Sequence, residues 1–355
     1  MRFPPLSFVL VTQLLIFKNN TPILLQLPHQ MSTKRTRSSS SSSSSAATPI
    51  HLLSLGHLHL GTLVHRPSKT LKSPFVADVL LSTGETVLAH TPSLELGGIC
   101  VPGATLLLSK NRDGLQTAYS VSLVAVSDDE SKSRYPSGRY WVSANPHTGN
   151  SLARAAIDAG LLSDVGLGCG LAPGGVQSVV AEKTFGDSRL DFEVEEVGGG
   201  KILIEVKSVV CSDYMIGSSA PSYKNYANVL SPVSNYRRAA VFPVGKLGQK
   251  LQDGTKVLSS RAVKHVRELA AVAEAPPKKK KKGEGGPKTR AAILFVVNRG
   301  DCEYLSLEKG TCPVLVDELK RAKKVGVDMK AMRVEWQESE GEWSAKFDGF
   351  VDVDI

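Results

Sequence analysis

Ser188-Arg189-Leu190-Asp191-Phe192-Glu193-Val194, then Gly198-Gly199-Gly200, then Ile202-Leu203-Ile204-Glu205-Val206-Lys207-Ser208 read as two strands joined by a glycine-rich turn. Alternation along the second arm puts Ile202, Ile204 and Val206 on one face and Glu205 and Lys207 on the other. The turn lets the first arm fold back, so Asp191 can approach Glu205. Two carboxylates brought together repel unless a cation or a proton lies between them. A hard divalent ion with oxygen ligands, Mg2+ or Mn2+, suits such a pair. It would polarise a phosphodiester and acidify a water, and Lys207 would balance charge on the phosphate. Glu182, nine residues before Asp191, is a further candidate acid.

Glu-x-Lys alone is a weak signal, since Glu130-Ser131-Lys132 and Glu318-Leu319-Lys320 repeat it. Only Glu205-Val206-Lys207 has an apolar strand around it and an aspartate on a hairpin partner. The same residue types also make surface salt bridges on edge strands, and these contribute little.

Working outward, residues 259–274 read as a helix. Arg261, Lys264, His265 and Glu268 form one stripe at i, i+3, i+4 and i+7, and Val263, Val266 and Ala270 form an apolar one. A basic stripe beside an acidic site suits a phosphate backbone; an ordinary amphipathic helix with a solvated face has the same pattern. Residues 151–162 read as another helix, with Asn150 or Ser151 as N-cap. Strands are expected at 291–297 and 327–336, with a helix at 314–324 between them and a long loop over 211–252. This is an α/β pattern. Upstream, strands at 76–81 and 85–90 flank Ser82-Thr83-Gly84, and 105–109 and 119–126 follow. Several short strands in a small interval suggest a barrel such as an OB-fold. The expected organisation is a presequence or extension over 1–50, the barrel over 51–139, and an α/β domain over 140–355 with a lysine-rich insertion at 275–288.

The chain of 355 residues is 41% apolar and 22% charged, enough for two domains with real cores. Its net charge of +9 comes from two places. One is the first fifty residues, which hold no acid; the other is the five lysines at 278–282. The remaining body is near neutral, so any nucleic-acid case rests on local residues. Five cysteines without a C-x-x-C pair argue against a disulfide framework or a zinc site. The acid-poor, basic N-terminus with its serine run at 38–45 reads as an organelle transit sequence, plastid or mitochondrial, with cytoplasm or nucleus as the alternative. It reads equally as an extension ahead of a true start at Met31. Its apolar stretch at 6–17 is too short to span a membrane, so no membrane association is expected of the mature form.

Arg-Leu-Asp-Phe at 189–192 followed by Ile-Glu-Val-Lys-Ser-Val at 204–209 resembles the signature of the sugar fermentation stimulation protein (SfsA) family, and with the presequence the chain looks like a eukaryotic homologue. Ala77-Asp78-Val79, His90-Thr91-Pro92, Pro102-Gly103, Asn145, Asn150, the segment 261–269 and Asn298-Arg299-Gly300-Asp301 are similar to it as well. The resemblance implies an N-terminal OB-like domain, a PD-(D/E)XK nuclease-like domain, and association with DNA, with RNA left open. It carries Asp191, Glu205 and Lys207 onto the nuclease motif and Glu182 onto an upstream acid. With the basic stripe, it makes Arg189, Arg261, Lys264 and His265 the nucleic-acid contacts. The chain departs from the family at Thr91-Pro92-Ser93-Leu94-Glu95, where a Cys-Pro-Asn-Thr-Gly segment is usual, and at Arg261-Ala262-Val263-Lys264-His265, which lacks a glycine. Three functions fit: a DNA-binding protein that cleaves phosphodiesters with a metal, a binding or regulatory module on the same scaffold, or an organellar protein without a nucleic-acid role.

Overall fold

The computed structural model describes residues 49–93, 96–127, 139–163, 175–185, 188–212, 237–276, 289–307 and 311–355. Residues 1–48, on which the transit-sequence expectation falls, and the lysine run at 278–282 lie outside the described residues.

The centre of the larger domain is β14 (Thr289–Val297), whose Ala291-Ala292-Ile293-Leu294-Phe295-Val296-Val297 run is wholly buried. A continuous apolar strand of this kind needs cover on both faces. Ala291, Ile293, Phe295 and Val297 pack against α2 (Ser260–Glu274) and α3 (Pro313–Lys324). Ala292, Leu294 and Val296 face the opposite layer, with Leu152, Ala153 and Ile157 of α1 (Thr148–Asp158). Parallel neighbours β10 (Lys201–Val209) and β16 (Asp328–Ser339) flank β14. Beyond β10 come β9 (Ser188–Glu196) and the edge strand β8 (Val176–Phe185); beyond β16 come β17 (Glu342–Asp354), β15 (Tyr304–Leu307) and β11 (Ala239–Phe242). A two-stranded ribbon, β12 (Gln249–Lys250) with β13 (Lys256–Val257), precedes α2.

The smaller domain is the expected OB-like barrel. Strands β2 (His59–His65), β3 (Val76–Leu81), β4 (Thr86–His90), β5 (Thr105–Lys110) and β6 (Tyr119–Ser127) pair in the order β4-β3-β2-β5-β6, and β4 meets β6 to close the ring. Its core holds Leu63, Val79, Leu106, Leu108 and Val124. β7 (Arg139–Ser143) continues from β6, and Trp141 meets Trp343 of β17 edge-on at 5.1 Å. The fold is therefore mixed α/β, an OB-like barrel followed by a nuclease-like domain.

Three expectations change, and one strand appears that the sequence pattern does not mark. The segment Ile50–Gly56, expected to enter the barrel from residue 51 onward, is β1 of the larger sheet, antiparallel to β17. Leu52 packs with the α1 layer, which supplies the burial the barrel does not. The helix expected at 151–162 begins at Thr148, and neither Asn150 nor Ser151 caps it. The loop expected over 211–252 contains β11 and β12. Strand β8 escapes periodicity because an edge strand with little burial on either face shows no alternation. The four described cysteines are buried thiols, and no helix among the described residues is long and apolar enough to cross a membrane.

Past β14, the chain turns through a buried ion cluster. Arg299 Nε and Nη2 donate to the two oxygens of Asp301, each at 2.6 Å, and Arg238 Nη1 donates to Asp301 Oδ2 at 2.9 Å. Arg299 Nη1 also donates to the Val210 carbonyl at 3.1 Å, just past β10. Burial raises the Asp301 carboxyl, but the Arg299 charge and hydrogen bonds, with Arg238 behind them, bring it down to about 2. Asp301→Ala removes the charge partner of the fully buried Arg299 guanidinium and should cost about 3–5 kcal/mol, read as a lower urea midpoint. Because the folded value is depressed, the Asp301 contribution is complete above the ordinary aspartate value of about 4 and is lost as pH falls toward about 2. That part of the acid dependence should vanish in the variant.

Candidate functional site

The β9–β10 hairpin turns at Gly198 and Gly199, with φ of 106° and 86°, values an L side chain resists. The ladder then runs Lys201↔Glu195, Ile202↔Val194, Leu203↔Glu193 and Ile204↔Phe192. The next pair in that register is Glu205 with Asp191, and there the ladder ends. Instead of a strand partner, the Val206 amide donates to Asp191 Oδ2 at 2.7 Å. The strands part where the two carboxylates face each other.

Each acid has its own support. Asn150 Nδ2 of α1 donates to Asp191 Oδ1 at 2.9 Å. Burial and the neighbouring Glu205 charge raise the Asp191 carboxyl above its ordinary value, against the Val206 and Asn150 hydrogen bonds. Glu205 is 4% exposed. Burial pushes its carboxyl up, but the hydrogen bond to His265 and the charge and hydrogen bond of Lys207 outweigh it and hold it below the usual range. Both partners use one oxygen: Lys207 Nζ and His265 Nδ1 each lie 2.6 Å from Glu205 Oε1. Glu205 Oε2 is buried with no hydrogen-bond partner. An unpaired buried oxygen costs about 1–3 kcal/mol, more when charged, and a cation or a water at Oε2 would remove that cost.

A hard cation fits this donor set. Two carboxylates and a bare buried oxygen suit an ion that keeps several waters. They do not make an all-protein cage: among the described residues, no three His, Cys, Asp or Glu side chains group as metal ligands. Glu182 does not join the pair. It lies across β8 from Asp191, between the pairs Ala181↔Phe192 and Lys183↔Leu190, but its exposed carboxylate meets Arg189 Nη1 at 3.4 Å.

Beside the pair opens a cleft of about 1090 Å³ between α2, the start of β9 and the β12–β13 ribbon. Ser259 caps α2 by accepting from the Ala262 amide, and Gln249 Oε1 accepts from the Ser260 amide at 2.8 Å, tying the ribbon to the helix start. Arg189, Arg261 and Lys264 line this cleft, as do Lys250 and Arg267, which sequence periodicity did not single out. His265 departs from the expected solvent-facing stripe. It is 3% exposed and turned inward to Glu205. The stripe is only nominally at one angle, and the residue nearest the sheet is taken up by the buried acid. The sequence places Asn150 as a candidate cap, and its resemblance to a family position is the sole sign of a further role there.

Residues 147–218 and 257–340 match the model of the sugar fermentation stimulation protein RE domain (SfsA). The sugar fermentation stimulation protein homologue of Cyanothece sp. is 24% identical over 279 residues, 78% of this chain and 88% of that protein. The homologue of Geobacter sulfurreducens is 27% identical over 279 residues, 78% and 89% of the two chains. The solved structure of Pyrococcus furiosus SfsA in complex with Ca2+ shares the fold, with a TM-score of 0.56 and 19% identity over 86% of this chain and 100% of that one.

In the ion-free protein the raised Asp191 carboxyl contributes stability that is complete below the ordinary aspartate value, about 4, and is lost as pH rises through the folded value. Asp191→Asn has no such proton to lose, and the Asn150 amide can turn over to match it. Urea midpoints should therefore shift in favour of the variant between about pH 4 and pH 7. A constant difference across that range would contradict the like-charge placement.

Proposed function

On the membership of the sugar fermentation stimulation protein family that these matches support, we propose that this chain binds DNA and cleaves phosphodiesters with a divalent cation, Mg2+ or Mn2+. The observation that carries the proposal is the buried, unpartnered Glu205 Oε2 beside an Asp191 whose carboxyl is raised by burial and by the Glu205 charge. The Ca2+ of the Pyrococcus furiosus relative supports a hard-cation reading.

Asp191 and Glu205 would hold the ion, which when bound supplies Lewis-acid polarisation of a phosphate and a more acidic water. Asn150 and the Val206 amide keep Asp191 turned toward Glu205. Lys207 stands at Glu205 as a positive charge, able to balance charge that develops on a phosphate. Arg189, Arg261 and Lys264 give the cleft the cations that a nucleic-acid backbone requires. A second reading, binding without cleavage, is favoured by one observation: no third acid joins the pair among the described residues.

Cleavage of double- and single-stranded DNA and of RNA under Mg2+ or Mn2+ separates the readings. Asp191→Ala and Glu205→Ala should each lower the cleavage rate by more than about 100-fold, beyond the loss usual for an outer-shell partner. Equal rates in all three proteins would remove the catalytic proposal. For binding, the slope of log affinity against log salt should shrink by about one for each phosphate contact removed in Arg189→Ala or Lys264→Ala. An unchanged slope in both would take the cleft out of the interface.

A further inference from the structure

We propose that His265 is a positioning residue that fixes which oxygen of Glu205 is presented to the cation, and that Arg261 sets the imidazole in the form that does so. The inference rests on the cation-site reading above and concerns how the chain prepares that site.

The first step is the tautomer. Arg261 Nε lies 3.3 Å from His265 Nε2. A guanidinium can only donate, so Nε2 accepts and carries no proton. The ring proton is then on Nδ1, which donates to Glu205 Oε1 at 2.6 Å. Arginine, histidine and glutamate thus form a directed chain from the cleft wall to the acid.

The second step is why this contact matters when Lys207 already sits on the same oxygen. A lysine ammonium has three rotatable donors on a flexible stem. It can follow either oxygen of a carboxylate as the group turns. An imidazole on a helix anchored in the core offers one N–H in one direction. Val263, Val266 and Leu269 are fully buried and leave α2 no freedom to follow. His265 therefore pins Oε1, and Oε2 stays bare. Outer-shell partners of metal ligands commonly act in this way. The device also joins cleft to site, because Arg261 lines the cleft and touches the ring.

The test uses the full chain and Mn2+ alone, titrated by electron paramagnetic resonance and calorimetry, with imidazole 15N NMR of the ion-free protein as a second readout. His265→Ala should weaken Mn2+ binding about 10–100-fold. His265→Asn, whose amide N–H replaces Nδ1–H, should restore most of it. The wild-type spectrum should show Nδ1 protonated and Nε2 bare. Arg261→Met should admit the other tautomer and loosen Mn2+ severalfold. If His265→Ala binds Mn2+ as tightly as wild type, or wild type shows the Nε2–H tautomer, the positioning role is wrong while the cation site stands. If wild type binds no Mn2+, or Asp191→Asn and Glu205→Gln bind it equally well, the cation site itself fails. Should His265→Ala not fold, unchanged Mn2+ affinity and tautomer in Arg261→Met overturn the inference instead.

Discussion

Two like charges held face to face at the end of a β-ladder constrain the rest of this molecule. The β9–β10 register runs cleanly to Ile204↔Phe192 and would next pair Glu205 with Asp191. At that step the strands part, and the Asp191 carboxylate takes the Val206 amide that a backbone carbonyl would otherwise have received. Like charges directly opposite on paired strands are destabilising. The arrangement persists only because surrounding elements hold each acid separately. Asp191 is held from α1 by Asn150, and Glu205 from its own strand by Lys207 and from α2 by His265. Donors therefore come from both faces of the sheet, and neither helix layer can move far without releasing one acid.

The supports are unequal, and the inequality is informative. Asp191 has a donor on each oxygen, whereas Glu205 has two donors on one oxygen and none on the other. A chain arranged only for stability would spread those donors over both oxygens. Their concentration leaves a buried lone pair open beside a second carboxylate, with a cleft lined by Arg189, Arg261 and Lys264 next to it. Glu268 Oε2, Asn298 Oδ1 and Arg333 Nε are also buried without a hydrogen-bond partner, but at Glu205 the open oxygen lies beside a second carboxylate, and local inconsistency of this kind is where function is expected to lie.

The fold was legible where burial is one-sided or complete. The unbroken apolar run of β14 reads as a central strand, and alternation in β10 puts Glu205 and Lys207 on one face, as observed. The glycine turn and the equal arm lengths were enough to bring Asp191 opposite Glu205. Where two faces are half exposed, as in β8, periodicity carries no signal. β1 was misassigned because its apolar residues fit either sheet, and only the distant β17 decides between them. Within the site, what was hidden was direction. Asn150 and His265 are visible as polar residues on helices, but a helix-start error of a few residues turns Asn150 from a cap into a side chain free to reach Asp191. A stripe four residues long cannot say which of its members points inward. These are tertiary facts, set by how α1 and α2 are rotated on the sheet.

That rotation is fixed by the turn after β14. The Asn298 amide donates to the Val209 carbonyl at 2.8 Å, and its side chain donates to Ser208 Oγ at 2.7 Å. Arg299, locked to Asp301, reaches the Val210 carbonyl. Three successive residues at the end of β10 are thus held from one side, immediately after Lys207. Gly149 of α1 sits so close to Ser208 that an added Cβ would lie 3.1 Å from the serine Cβ. The same strand end therefore sets the approach of α1, and with it the reach of Asn150, one residue on. The buried Arg299–Asp301 pair touches neither carboxylate of the site. By anchoring the strand that carries Glu205 and Lys207, it makes the two helix layers converge on them. A frame this rigid is what an arrangement of opposed charges requires, because any slack would let Asp191 and Glu205 swing apart toward solvent and leave Oε2 wet.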